Sequence, residues 1–257
     1  MAKAVEIPVY LFTGFLEGGK TRFIRETLED KKFNAGEHTL LVLCEEGEEE
    51  YDLSHPLMKN VHILPIESEE ELTAEKLGEW QKIHRVDRVV IEYNGMWLLQ
   101  RLYEQMPQGW MIYQEVMLAD YNTFLSYNTN MRSLMVDKLT SCEMVLLNRA
   151  PVGADKMEIH KVIRGVSRRT DIGYDYVDGS FDYDEIEDPL PFDINAPVIE
   201  IGDNDFAVWY RDLTEEMEKY QGKTVRFKGR VVTKHRSLKN CFVCGRHVMT
   251  CCVEDIT

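Results

Sequence analysis

No stretch of the chain approaches the roughly 18 consecutive apolar residues that a membrane-spanning helix needs, so direct membrane insertion is not expected. Basic residues are scarce: 30 Lys and Arg stand against 45 Asp and Glu, a formal charge of −15. Phosphate backbones reward clustered cations, and this balance excludes nucleic acid as the natural partner. A nucleotide can still be held by main-chain amides and one lysine. Cysteine is thin as well, since six in 257 residues cannot staple a small scaffold. Cys241, Cys244, Cys251 and Cys252 crowd together near the C-terminal end, a spacing of metal or redox chemistry more than of disulfide stapling. The opening residues lack the apolar core and cleavage site of a secretory signal, and the expectation is a cytoplasmic protein.

What is present is an alternation. Apolar runs at 7–12, 39–43, 61–64, 86–91, 116–118 and 144–147 read as buried strands, with helical spacing at 20–31, 69–84, 96–105 and 130–139. Strands alternating with helices predict an α/β fold with a doubly wound, mostly parallel sheet, here over residues 1–175. From Tyr174 the chain turns acidic, aromatic and turn-rich, and residues 176–197 read as a linker. Residues 198–257, with their alternating apolar positions, read as a small β-rich module.

Between the first strand and the first helix lies Gly14-Phe15-Leu16-Glu17-Gly18-Gly19-Lys20-Thr21, which satisfies G-x-x-x-x-G-K-[ST] in the context that gives the pattern its meaning. Gly14 lets the chain turn sharply off the strand. Gly18 and Gly19 let backbone N–H groups approach the α- and β-phosphates without an intervening Cβ. Lys20 supplies a point charge at the β- and γ-phosphates, and the Thr21 hydroxyl is placed to ligate Mg²⁺. Glu17 and Arg22 flank the cradle and complete the nucleotide-contacting set on this segment, and the helix start adds its positive dipole end. Hydrolysis also requires acids at neighbouring strand ends. Glu92 ends the run Val89-Val90-Ile91, and Glu45 opens an acidic segment after the second strand; with Lys20 they are the candidate catalytic groups, and with Thr21 the candidate Mg²⁺ ligands. So much negative charge beside a phosphate site is costly unless a cation intervenes. Asp120, after a short apolar run, is either a further strand-end acid or a turn cap.

Four motifs resemble the CobW group of P-loop GTPases, relatives of the hydrogenase and urease maturation GTPases that deliver metals to enzymes. They are the loop Gly14 to Thr21, Cys44-Glu45-Glu46-Gly47 with Asp52 downstream, Glu92 to Gly95, and Asn148-Arg149-Ala150-Pro151 at the position of the guanine-reading N-K-x-D. The resemblance covers about residues 6–170 and implies a P-loop NTPase fold, GTP or ATP with Mg²⁺, and base contacts from Asn148 and Arg149. Two departures stand out. The group's C-x-C-C motif is missing before Glu92, where Cys44 is the lone cysteine, and Pro151 takes the place of the aspartate that pairs with the base.

A second resemblance covers 199–257, where the run from Tyr220 to Gly229 and the segment from Phe242 to Cys252 are similar to the C-terminal domain of bacterial permease-subunit proteins, an OB-like domain that normally continues with further strands. By that likeness the module is incomplete or is finished by another chain. Within it Cys241, Cys244 and one of the adjacent pair, taken as Cys251, could form a Zn site; buried inert thiols are the other reading. The expected function is a Mg-dependent GTPase switch in metal homeostasis or metallocentre assembly, with a metalloprotein client and a homodimer among its partners. The alternative is a nucleotide-binding regulatory or adaptor subunit of a membrane permease.

Overall fold

The computed structural model describes residues 6–45, 47, 49, 51–187, 189–232 and 243–245. Two compact units divide the chain, Met1–Asp184 and Glu185–Thr257. The first is an eight-stranded sheet in the order β3-β2-β4-β1-β5-β6-β7-β8. Its strands are β1 (Ile7–Thr13), β2 (Thr39–Leu43), β3 (Val61–Pro65), β4 (Arg88–Glu92), β5 (Trp110–Asp120), β6 (Met144–Ala150), β7 (Asp171–Tyr176) and β8 (Phe181–Tyr183). All neighbours pair in parallel except β7 with β8.

Parallel strands buried on both faces read as continuous apolar runs, and β2 and β4 are of that kind, with every residue from Thr39 to Val42 and from Arg88 to Glu92 buried. Helices α1 (Lys20–Leu28), α2 (Ala74–His84), α3 (Leu99–Gln105), α4 (Tyr121–Asn130), α5 (Arg132–Ser141) and α6 (Met157–Arg164) supply the crossovers. Alternation along the strands sorts the core into clusters. Val9 and Leu11 join Leu77 of α2 and Leu102 of α3. Phe12, Val116 and Leu118 point the other way and meet Ile24 and Leu28 of α1. Met117 and Val145 pack with Phe124, Leu139 and Ile163 of α4, α5 and α6.

The expected doubly wound sheet is therefore present. The linker expected over 176–197 is corrected at its first part: Gly173, Tyr174 and Asp175 pair with Tyr183, Asp182 and Phe181, so the sheet closes with a hairpin through residue 183. The turn-rich composition of that segment belongs to the β7–β8 turn, where Gly179 takes a φ of 82° and Asp178 accepts hydrogen bonds from Ser180.

The second unit holds α7 (Phe206–Glu215) and two short ladders, β9 (Ile199–Glu200) with β10 (Val225–Arg226) and β11 (Arg230–Val232) with β12 (Val243–Gly245). Ile199, Ile201, Phe206, Trp209 and Tyr220 form its core. Among the described residues these ladders do not close into a barrel. Cys241 and Cys251 lie outside the described residues, and Cys244 is described only as a strand position opposite Val231. Within the described residues no helix is long and apolar enough to cross a membrane.

The first unit places its central crossover tightly. Gly14 leaves β1 with a φ of 122°, and a Cβ there would lie 2.0 Å from the Leu118 carbonyl oxygen of β5. On the β4 side, a Cβ on Gly95 would stand 2.6 Å from the Gly14 oxygen and 2.8 Å from Phe15 Cα. Both obstacles are backbone, which cannot rotate aside. Gly95→Ala is expected to lower the stability of the first unit by about 1–3 kcal/mol, measured as a shift of the urea midpoint in tryptophan fluorescence; an unchanged midpoint would show that the loop yields freely.

Candidate functional site

The turn after β1 delivers its chain into α1 through two left-handed residues, Glu17 at φ 61° and Gly19 at φ 91°. Lys20, the first residue of α1, has a side chain only 3% exposed. A buried ammonium must be compensated. Its Nζ donates to the carbonyl oxygens of Gly14 at 2.8 Å and Phe15 at 2.9 Å, and lies 2.5 Å from Glu45 Oε2. The loop carbonyls thus fold back onto the same lysine that the sequence assigns to phosphate.

Beside it, Thr21 Oγ1 donates to Glu92 Oε1 at 2.7 Å, and the Tyr51 hydroxyl donates to Glu92 Oε2 at 2.5 Å. Glu92 is buried at the end of β4. Burial pushes its carboxyl above the ordinary glutamate range, against the opposing pull of the Tyr51 and Thr21 hydrogen bonds and the Lys20 charge. Burial, together with Glu92, drives the Tyr51 phenol far up, so it stays a donor. The segment after β2 is therefore fastened at Glu45 by Lys20 and at Tyr51 by Glu92. Glu49 adds an ion pair to Arg25 at 3.1 Å. Asn94, in the turn after β4, donates to the Cys44 oxygen at 3.1 Å and ties the ends of β2 and β4 together.

On the other flank β6 presents Asn148 and Arg149. Asn148 Nδ2 donates to the Gly18 oxygen at 2.5 Å, and Gly19 passes so near that a Cβ there would meet this amide at 2.5 Å. Arg149, itself at φ 56°, donates to the Glu17 oxygen and pairs with Asp120 at 2.6 Å. Asp120 also caps α4 through the Asn122 N–H, so both sequence readings of this acid hold at once. These groups surround an open cleft of about 390 Å³, lined by Glu17, Gly19, Lys20, Thr21, Arg22, Glu45, Glu92 and Arg149 among others.

Of the candidate residues from the first unit, Glu17, Gly19, Lys20, Thr21, Arg22, Glu45, Glu92 and Arg149 line this cleft; Gly14, Gly18 and Asn148 do not line it, but the Gly14 oxygen accepts from Lys20 and the Gly18 oxygen from Asn148. Arg22 turns to Glu26 at 2.9 Å and stays at the rim. Asp52 is not brought in: it is exposed, and its carboxylate accepts from the Ser54 N–H and hydroxyl. Cys44 and Cys142 are buried and free, their thiols held protonated by burial. Two partners escaped the sequence reading, Tyr51 and Arg25. Tyr51 had a signal, a lone aromatic inside an acidic run, whereas Arg25 is one charged helix residue among several. Among the described residues no group of three or more His, Cys, Asp or Glu is arranged to hold a metal ion. Any cation here would draw on the Thr21 hydroxyl and on ligand oxygens besides Glu45 and Glu92.

Comparison with known proteins adds the following. Residues 181–257 match the family described as DUF1980 C-terminal domain. Among solved structures, the Zn(II)-bound triple mutant of the YjiA GTPase superposes with a TM-score of 0.50 at 21% identity, covering 69% of this chain and 59% of that one. The hydrogenase maturation factor HypB from Archaeoglobus fulgidus gives a TM-score of 0.45 at 14% identity, covering 66% of this chain and 80% of that one. A curated relative, the pre-mRNA-splicing factor SYF1 of Debaryomyces hansenii, is 30% identical over 95 residues, which are 35% of this chain and 11% of that protein. The chain thus spans little of SYF1 and just over half of the YjiA structure. The YjiA likeness together with the sheet order gives the first unit the doubly wound α/β fold of that structure.

The raised Glu92 carboxyl has a measurable sign. Between the ordinary value of 4.5 and its higher folded value, the unfolded chain releases a proton that the folded chain keeps, so stability falls as pH rises through that window. Glu92→Gln removes the loss. In chelator and without nucleotide its melting temperature at neutral pH should exceed wild type by about 2–4 °C, roughly 1 kcal/mol. The difference should close as pH falls below 4.5. A constant difference across that range, by scanning calorimetry, would contradict burial of the ion as the cause.

Proposed function

We propose that the first unit is a Mg-dependent nucleoside-triphosphate hydrolase, with GTP as substrate, acting as a nucleotide switch in metal homeostasis or metallocentre assembly. The observation that carries this reading is the convergence of Lys20, Thr21, Glu45 and Glu92 on one cleft at the C-terminal ends of β1, β2 and β4. The similar YjiA structure is Zn(II)-bound, which supports the metal setting, and the acidic surroundings support a cation with the nucleotide.

Glu45, Glu92 and the Thr21 hydroxyl would supply hard oxygens, with Thr21 Oγ1 held against Glu92 Oε1 at 2.7 Å. This donor set fits magnesium completed by phosphate oxygens, and when bound the ion neutralises charge on the β- and γ-phosphates. The chain's own work is positional. Lys20 exchanges the Glu45 carboxylate for phosphate oxygens, so binding releases Glu45. The freed Glu45 then accepts a hydrogen bond from the attacking water and orients it. Glu92, gripped by Tyr51, holds the Thr21 hydroxyl toward the same point.

The missing C-x-C-C motif and Pro151 favour a second reading, a regulatory or adaptor subunit of a permease with little turnover; the DUF1980 match of residues 181–257 is the part such a partner would engage. Steady-state phosphate release separates the two. On the hydrolase reading, wild type releases phosphate from GTP only with Mg²⁺, and Lys20→Ala falls by about 100-fold or more. Tight, Lys20-dependent binding with release no faster than Lys20→Ala would establish the adaptor instead.

A further inference from the structure

Beyond the triphosphate end, a smaller recess of about 110 Å³ continues from Gly19 and Arg22 toward Asn148, Arg149 and Asp175. Its place in the sheet gives it a direction. Thr21, Glu45 and Glu92 gather over β1, β2 and β4, whereas Asn148 and Asp175 stand on β6 and β7, on the far side of β1. A triphosphate whose γ end faces Lys20 and Glu92 therefore sends its ribose and base toward Asp175.

The acids around this route differ in one respect. Glu26 is paired with Arg22 at 2.9 Å, Glu49 with Arg25 at 3.1 Å, and Asp120 with Arg149 at 2.6 Å. The half-buried Asp175 carboxylate takes no hydrogen bond or ion pair among the described residues. The Arg22 guanidinium, sustained chiefly by Glu26, also feels its charge, which places Asp175 beside the recess and not away from it. Meanwhile the segment Asn148-Arg149-Ala150-Pro151 offers no carboxylate to a base, and its Arg149 is committed to Asp120 and the loop.

We propose that Asp175 reads the nucleobase and makes the site selective for guanine, an inference that rests on the nucleotide-site reading above. A carboxylate presents two acceptors. Guanine offers two donors on one edge, the N1–H and the exocyclic N2 amine, and so satisfies both oxygens. Adenine offers a lone pair at N1, which a carboxylate repels. Selectivity thereby sits on a strand neighbouring the one that usually carries it.

The test is equilibrium binding of GTP, ATP and xanthosine triphosphate, each with Mg²⁺, to wild type, Asp175→Asn and Lys20→Ala. Asparagine supplies one donor and one acceptor, which match the N1–H and C2 carbonyl of xanthine. Asp175→Asn should weaken GTP by about tenfold or more, strengthen xanthosine triphosphate by a similar factor, and leave ATP unchanged. The gain for xanthosine triphosphate cannot come from misfolding. An Asp175→Asn protein with the wild-type order of preference would overturn the inference while Lys20-dependent binding persisted. Absence of any Lys20-dependent binding in wild type would instead bring down the nucleotide site, and this inference with it.

Discussion

A positive charge almost closed off from water organises the first unit. Lys20 is fixed by its place at the first turn of α1, and its burial forces neighbouring oxygens to converge on it: two from the loop that precedes it and one from Glu45. An isolated buried ammonium would cost several kcal/mol, so the loop and the segment after β2 cannot drift apart without exposing or orphaning it. The tight approaches of Gly14 to β5 and of Gly95 to the loop are the steric counterpart of the same convergence.

The opposite charge is handled differently. Among the described residues Glu92 is held by two hydroxyl donors and no direct cation, and burial shifts its carboxyl toward the neutral form. Glu45 has the lysine. Two acids side by side, one paired with a lysine and one only weakly compensated, make an environment in which further negative charge costs less when a cation comes with it.

Much of the first unit was legible because parallel strands write themselves as short apolar runs bounded by glycine or acids. Thr39–Leu43 is the clearest, its bounds identical in sequence and structure. The loop Gly14 to Thr21 and Glu92 were likewise legible, since both depend on local order: a strand, a turn, a helix. What escaped was of two kinds. The first half of β5 carries Tyr113, Gln114 and Glu115 among its apolar residues, so no run announces it, and β8 is an exposed three-residue strand that mimics a linker. The Tyr51–Glu92 contact and the position of Asp175 join residues far apart in the chain, and only the strand order brings them to the site.

The twofold fastening of the segment after β2 has a consequence for timing. Its near end is released by whatever competes for an ammonium, its far end by whatever competes for a carboxylate. A competitor at one clasp leaves the strap held at the other, and the Arg25–Glu49 pair between them holds as well. Loosening this strap therefore takes an event at each of its ends.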